Sequence, residues 1–108
     1  MIWSSRIYLG TGLKKKYRRI KWKIMHNIAQ QGIFILRLPL GYSGNPEIIS
    51  SSILRQKYYP GEPFCVIGLA NTKREAFRLI EQITSEMYQK LNEIDYYCFF
   101  ELEKPKTD

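Results

Sequence analysis

Seven residues without a charge, Phe64-Cys-Val-Ile-Gly-Leu-Ala70, precede Thr72-Lys-Arg-Glu75 and a long amphipathic stretch, and this succession restricts the chain more than any other feature. So short an apolar run reads as a buried strand. The Thr-x-x-Glu spacing is a capping box that opens a helix. Ala76, Ile80, Ile83, Met87 and Leu91 then lie on one helical stripe, with Phe77 and Tyr88 beside it, which predicts a helix through about Asn92. A buried strand followed at once by a long amphipathic helix calls for a domain that mixes helix and sheet.

The remaining segments extend that pattern. Residues 3–9 form a β-prone run closed by Gly10-Thr11-Gly12, a tight turn. Leu13, Tyr17, Ile20, Ile24 and Ile28 recur at helical spacing, with Gly32 as the stop. Residues 33–38 read as a second strand ended by Pro39, and Asn45-Pro46 as the start of a short helix to about Lys57, before Pro60-Gly61. Tyr96 to Leu102 reads as a last strand, and residues 103–108 as a flexible tail.

Two architectures accommodate this order within one α/β-type domain over residues 1–102. The preferred one is α+β, a ferredoxin-like βαββαβ two-layer sandwich with a short helical insertion between strands 2 and 3 and both main helices on one sheet face. The alternative is a doubly wound parallel α/β sheet. Arg6 alternating with Ile7, and Arg37 flanked by leucines, favour a sheet with one wet face and hence the first.

At 108 residues the chain suits one core that folds without disulfides or structural metal. Cys65 and Cys98 sit in apolar runs, where a free thiol behaves as a small buried hydrophobe, and as reduced thiols they suit the cytoplasm. No secretory signal is visible, and the longest apolar run, Ile33 to Leu40, is broken by Arg37 and too short for a membrane span, so no membrane association is expected.

Charge is concentrated. Residues 1–46 hold nine basic side chains and no acid, whereas residues 47–108 hold eight basic against ten acidic, so the net +7 divides as +9 and −2. A helical wheel places Lys15, Arg18, Arg19, Trp22 and His26 opposite the Leu13/Tyr17/Ile20/Ile24 stripe. Cations neutralise phosphates and an exposed indole stacks on a base or anchors a protein, so this face suits nucleic acid or an acidic partner. The same pattern also describes a solvated face with its Trp covered by a neighbouring loop or by lysine stems.

Three other constellations stand beside it. The Gly10-Thr11-Gly12 turn, with Lys14, Lys15 and Lys16, resembles an anion seat at a helix N-terminus, the basis for a small phosphate-binding sensor or enzyme, although it completes neither a P-loop nor a GxGxxG fingerprint. Arg6, Tyr8 and Arg37 could align with Tyr97 or Phe99 as a basic aromatic sheet face, either an RNA platform or a homodimer surface. Glu47 and Glu62 could form an acid pair, though loop carboxylates are usually solvated. A single histidine remote from both cysteines forms no triad and no metal site, so no catalytic residue, metal or cofactor is expected.

Tyr8-Leu9-Gly10, the Leu40-to-Ser43 turn, Gln56-Lys-Tyr-Tyr-Pro60, and Val66-Ile-Gly-Leu-Ala70 with Arg74-Glu-Ala-Phe77 resemble a group of small uncharacterised proteins of Gram-positive bacteria. That group has no assigned activity. The resemblance therefore implies a bacterial, cytoplasmic origin and carries over no functional residue. Taken together, the residues lead to a non-enzymatic binding domain that engages nucleic acid or an acidic partner through the basic helix face, with the phosphate-ligand sensor and the structural homodimer as alternatives.

Overall fold

A computed structural model describes residues 1–28, 30–52 and 63–105. It contains β1 (Ile2–Leu9), a 3-10 turn (Lys14–Lys16), α1 (Tyr17–Met25), β2 (Phe34–Pro39), β3 (Glu47–Ser50), β4 (Phe64–Ala70), α2 (Lys73–Leu91) and a one-turn α3 (Tyr96–Phe99). The fold is mixed α+β, built on a four-stranded sheet in the order β1-β4-β2-β3.

The sheet departs from both expected layouts. β1 pairs with β4 in parallel, while β2 runs antiparallel to both of its neighbours, β4 and β3. A doubly wound parallel sheet is thereby ruled out. In the ferredoxin-like layout a helical crossover makes strands 1 and 2 parallel, with strand 3 antiparallel between them. Here β1 and β2 flank β4 in opposite directions. The two main helices also separate: Ile20 and Ile24 of α1 pack with Ile35, Val66 and Leu69, whereas Ala76, Leu79, Ile83 and Met87 of α2 pack with Leu36, Leu38, Cys65 and Ile67. Neighbouring strand residues point to opposite faces, so α1 covers one face of the sheet and α2 the other.

That double cover explains β4, whose seven residues are all buried. Its register slips by one: Leu36 pairs with Gly68 and Arg37 with Val66, leaving Ile67 as the extra residue of a bulge. Ile67 and Gly68 thus share the α2 face, and Leu69 crosses to the α1 face. Gly68 is required there, because a Cβ would lie 3.0 Å from the Tyr8 carbonyl oxygen and 3.3 Å from Leu36.

Two elements change type relative to expectation. The short helix from Asn45-Pro46 is a strand over Glu47–Ser50, paired with β2 as a hairpin; its predicted residues 53–57 lie outside those described. Ile48 and Ile49 pack against the two opposite cores, an alternation that a strand provides and a helix does not. The last strand is absent. Asp95 caps α3 by accepting from the Cys98 amide at 3.1 Å, and Tyr97, Phe99 and Phe100 bury together beneath α2. Within the expected tail, Pro105 is half-buried beside Ile2, Leu40 and Leu102, and residues 106–108 lie outside those described.

Tyr97 ties α3 to the β2–β3 loop. Its hydroxyl lies 2.7 Å from the Pro39 carbonyl and 3.1 Å from that of Tyr42, donating towards both, and accepts from the Gly44 amide at 3.2 Å. Burial holds its pKa above the ordinary tyrosine value. Tyr97→Phe leaves these groups short of a partner, so a loss of about 1 to 3 kcal/mol is expected in urea unfolding, with an unchanged m-value.

Candidate functional site

The chain enters α1 without a side-chain cap, through the 3-10 turn of three lysines. Cations at a helix start oppose its dipole. Tertiary packing supplies the stability instead, through Leu13, Ile20 and Ile24, all buried against the sheet. The helix ends at Met25, and Asn27 follows in the left-handed region at φ 54°. It is thus shorter than its periodicity predicts: Ile28, assigned to the buried stripe, is exposed, and Gly32 serves instead in the turn into β2 at φ 73°.

All five residues singled out on the polar face are exposed: Lys15, Arg18, Arg19, Trp22 and His26. Trp22 retains 54% of its surface and is not covered by lysine stems or a neighbouring loop. It stacks on His26, one turn away, with ring centroids 4.1 Å apart and planes inclined by 23°. His26 Nδ1 lies 2.7 Å from the Trp22 carbonyl; a carbonyl only accepts, so Nδ1 carries the proton and fixes the imidazole against the indole. Among the described residues no carboxylate forms an ion pair with the cations of residues 14–23. Lys21 is half-buried, its ammonium 5.1 Å from the Trp3 ring centroid.

Beside this face lies a cleft of about 400 Å³ that the sequence did not reveal. Lys16, Arg19 and Lys23 line one wall and Gln30, Gln31 and Asn71 lie across from them, over buried Leu13, Ile20 and Ile33. The signal was present as cations at i, i+3 and i+7, but its second wall comes from the ends of β2 and β4 and is set by topology.

At the Gly10-Thr11-Gly12 turn, the protein supplies its own anion. Glu75 Oε2 accepts from the Thr11 amide at 3.0 Å, and Oε1 accepts from the Asn71 amide at 2.8 Å and from Asn71 Nδ2 at 2.9 Å. A Cβ on Gly10 would lie 1.8 Å from Glu75 Oε1, so glycine makes room for the carboxylate. Glu75 is the box residue expected after Thr72, whose hydroxyl does accept from the Glu75 amide at 3.0 Å; its side chain reaches past the cap to join the β1 and β4 ends. Lys14, Lys15 and Lys16 stay exposed beside the turn.

Partial burial works to raise the Glu75 pKa, but the amides of Asn71 and Thr11 outweigh it and hold the carboxyl below its ordinary value. Its stabilising contribution is therefore present above the unfolded pKa of about 4.3 and disappears as pH falls through the lower folded value. Glu75→Gln is expected to lower stability at pH 7 by about 1 kcal/mol and to flatten the acid limb of a stability-against-pH curve measured by denaturant unfolding.

The basic aromatic sheet face does not form. Arg6 lies on the α2 side, its guanidinium donating to the Phe99 carbonyl and sitting 4.5 Å from that ring's centroid. Arg37 lies on the α1 side, paired with Glu47 at 3.0 Å and 5.1 Å from the Phe64 ring centroid. Tyr8 donates to Glu86 at 2.8 Å, and burial together with that carboxylate pushes its pKa to about 12. Tyr97 and Phe99 are buried in the α2-side core. With both faces of the sheet covered, neither an RNA platform nor a dimer surface is available there.

Cys65 is buried and free as expected, its thiol pushed to about 11 by burial; Cys98, expected to be buried, is exposed and free, because the helical turn of α3 turns Tyr97 and Phe99 inward and Cys98 outward. Glu47 is engaged by Arg37, and Glu62 lies outside the described residues. Among the described residues no group of three His, Cys, Asp or Glu could hold a metal, and no helix is long and apolar enough to cross a membrane. Comparison with protein families, curated proteins and solved structures gives no match.

Proposed function

We propose that this chain is a non-enzymatic binding domain of the bacterial cytoplasm that takes up single-stranded nucleic acid on the outer face of α1. The observation that carries the reading is the exposed Trp22–His26 stack standing among Lys15, Arg18 and Arg19, with no carboxylate paired to them among the described residues. Phosphates meet exposed cations that have no ion pair among the described residues, and an indole half out of the surface offers a ring to a base. An acidic protein would meet the same charges and could use the indole as an anchor. The free thiols of Cys65 and Cys98 are compatible with a reducing compartment.

The test is fluorescence anisotropy of a labelled random single-stranded oligonucleotide at two salt concentrations. With about three phosphates neutralised, by Lys15, Arg18 and Arg19, log affinity is expected to fall with log salt at a slope near −2. Emission from Trp22, isolated from Trp3 by comparison with Trp22→Phe, is expected to change on binding. Absence of binding at low salt, or binding indifferent to salt, would contradict the reading.

A further inference from the structure

The cleft between α1 and the start of β2 has a different chemistry from the open face beside it. Its charged wall consists of Lys16, Arg19 and Lys23, and among the described residues no acidic side chain lines it. Glu75 sits at the Asn71 rim, its carboxylate committed to the Asn71 backbone and side-chain amides and to the Thr11 amide. Gln31 adds an exposed side-chain amide, while Gln30 uses one N–H on the Ile20 carbonyl at 3.2 Å. The floor of buried Ile20 and Ile33 is apolar.

We infer that this cleft binds a phosphate monoester: the dianionic phosphoryl group lies against Lys16, Arg19 and Lys23, and the body of the ligand lies over Ile20 and Ile33. A monoester carries about −1.5 to −2 charge at pH 7, against −1 for the diester linkages of a nucleic-acid strand. The three cations lining the cleft match the dianionic monoester better than a singly charged diester, and the fork of Arg19 can grip two of its oxygens. The same chemistry is offered by a free phosphorylated metabolite and by the 5′-phosphate at the end of a strand. The inference does not depend on strand binding by Trp22 and its neighbours, since a small monoester occupies the cleft alone.

The experiment is calorimetric titration of the full chain with adenosine 5′-monophosphate and with adenosine. The monophosphate is expected to bind at least about tenfold more tightly, and Lys16→Gln and Lys23→Gln are each expected to weaken it by on the order of tenfold. Lys90→Gln, at the far end of α2, removes the same charge and is expected to leave binding unchanged. Equal binding of adenosine and its monophosphate, or equal effects of Lys23→Gln and Lys90→Gln, would overturn the inference. Two oligonucleotides of one sequence, with a 5′-phosphate and a 5′-hydroxyl, separate the sources. A preference for the phosphorylated strand identifies a strand end, and a preference confined to the free monophosphate identifies a metabolite. Failure of the wider nucleic-acid reading shows up separately, as loss of binding by the 5′-hydroxyl strand.

Discussion

Arg18→Glu combined with Arg19→Glu is expected to reduce affinity for a single-stranded oligonucleotide by at least about 100-fold, or about 2.7 kcal/mol, at low salt. Each substitution removes a phosphate partner and installs a charge that repels the same phosphate, so the local charge changes by four. Both side chains are exposed and neither forms an ion pair among the described residues. The variant should therefore keep its fold, as far-ultraviolet circular dichroism can check. The salt dependence is expected to shrink in parallel, because fewer counterions are released. Unchanged affinity in a folded double variant would remove the basis for the proposed function.

The second large effect falls on stability. Leu36→Ala is expected to cost about 3 to 5 kcal/mol, a substantial part of the 5 to 15 kcal/mol typical of a whole domain. Leu36 is fully buried in the α2-side core and covers the bulge at Gly68, coming within 3.3 Å of where a glycine Cβ would stand. Gly68 has no side chain to move into the void, and its position is fixed by the Tyr8 carbonyl on the other side. The cavity therefore persists instead of collapsing. Thermal unfolding is expected to show a fall of about 15 to 30 °C. A fall below about 5 °C would mean that the α2-side core repacks around the bulge.

The fold was legible where local pattern and tertiary environment agree. β4 matches its apolar run residue for residue, and α2 runs from the Thr72 cap to the left-handed Asn92, as its periodicity and capping signals indicate. It was not legible where a short signal competed with long-range packing. Tyr96 to Leu102 has strand composition, yet the Asp95 cap and the need to bury both Phe99 and Phe100 beneath α2 select a helical turn. Asn45-Pro46 has the chemistry of a helix start, yet the free edge of β2 recruits the next residues into β3. Arg6 and Arg37 each suggested a wet sheet face; they lie on opposite faces, each resting on phenylalanine.

At the candidate site, exposure followed from the wheel, because Ile20 and Ile24 define the inward side of α1 and Leu13 continues it before the 3-10 turn. The stacking of Trp22 on His26 is an i, i+4 relation within that helix and was equally within reach. The filling of the Gly10 turn by Glu75 was not, since those residues meet only because β1 and β4 pair in parallel and end together.

The most direct test of the binding surface is a nuclear magnetic resonance titration of the isotope-labelled protein with a short 5′-hydroxyl single-stranded oligonucleotide. The largest shifts are expected on the amides of residues 15–26 and on the indole N–H of Trp22, with α2 and α3 little affected. Shifts centred instead on the exposed Phe77 and Tyr88 of α2, or no shifts at low salt, would contradict the account.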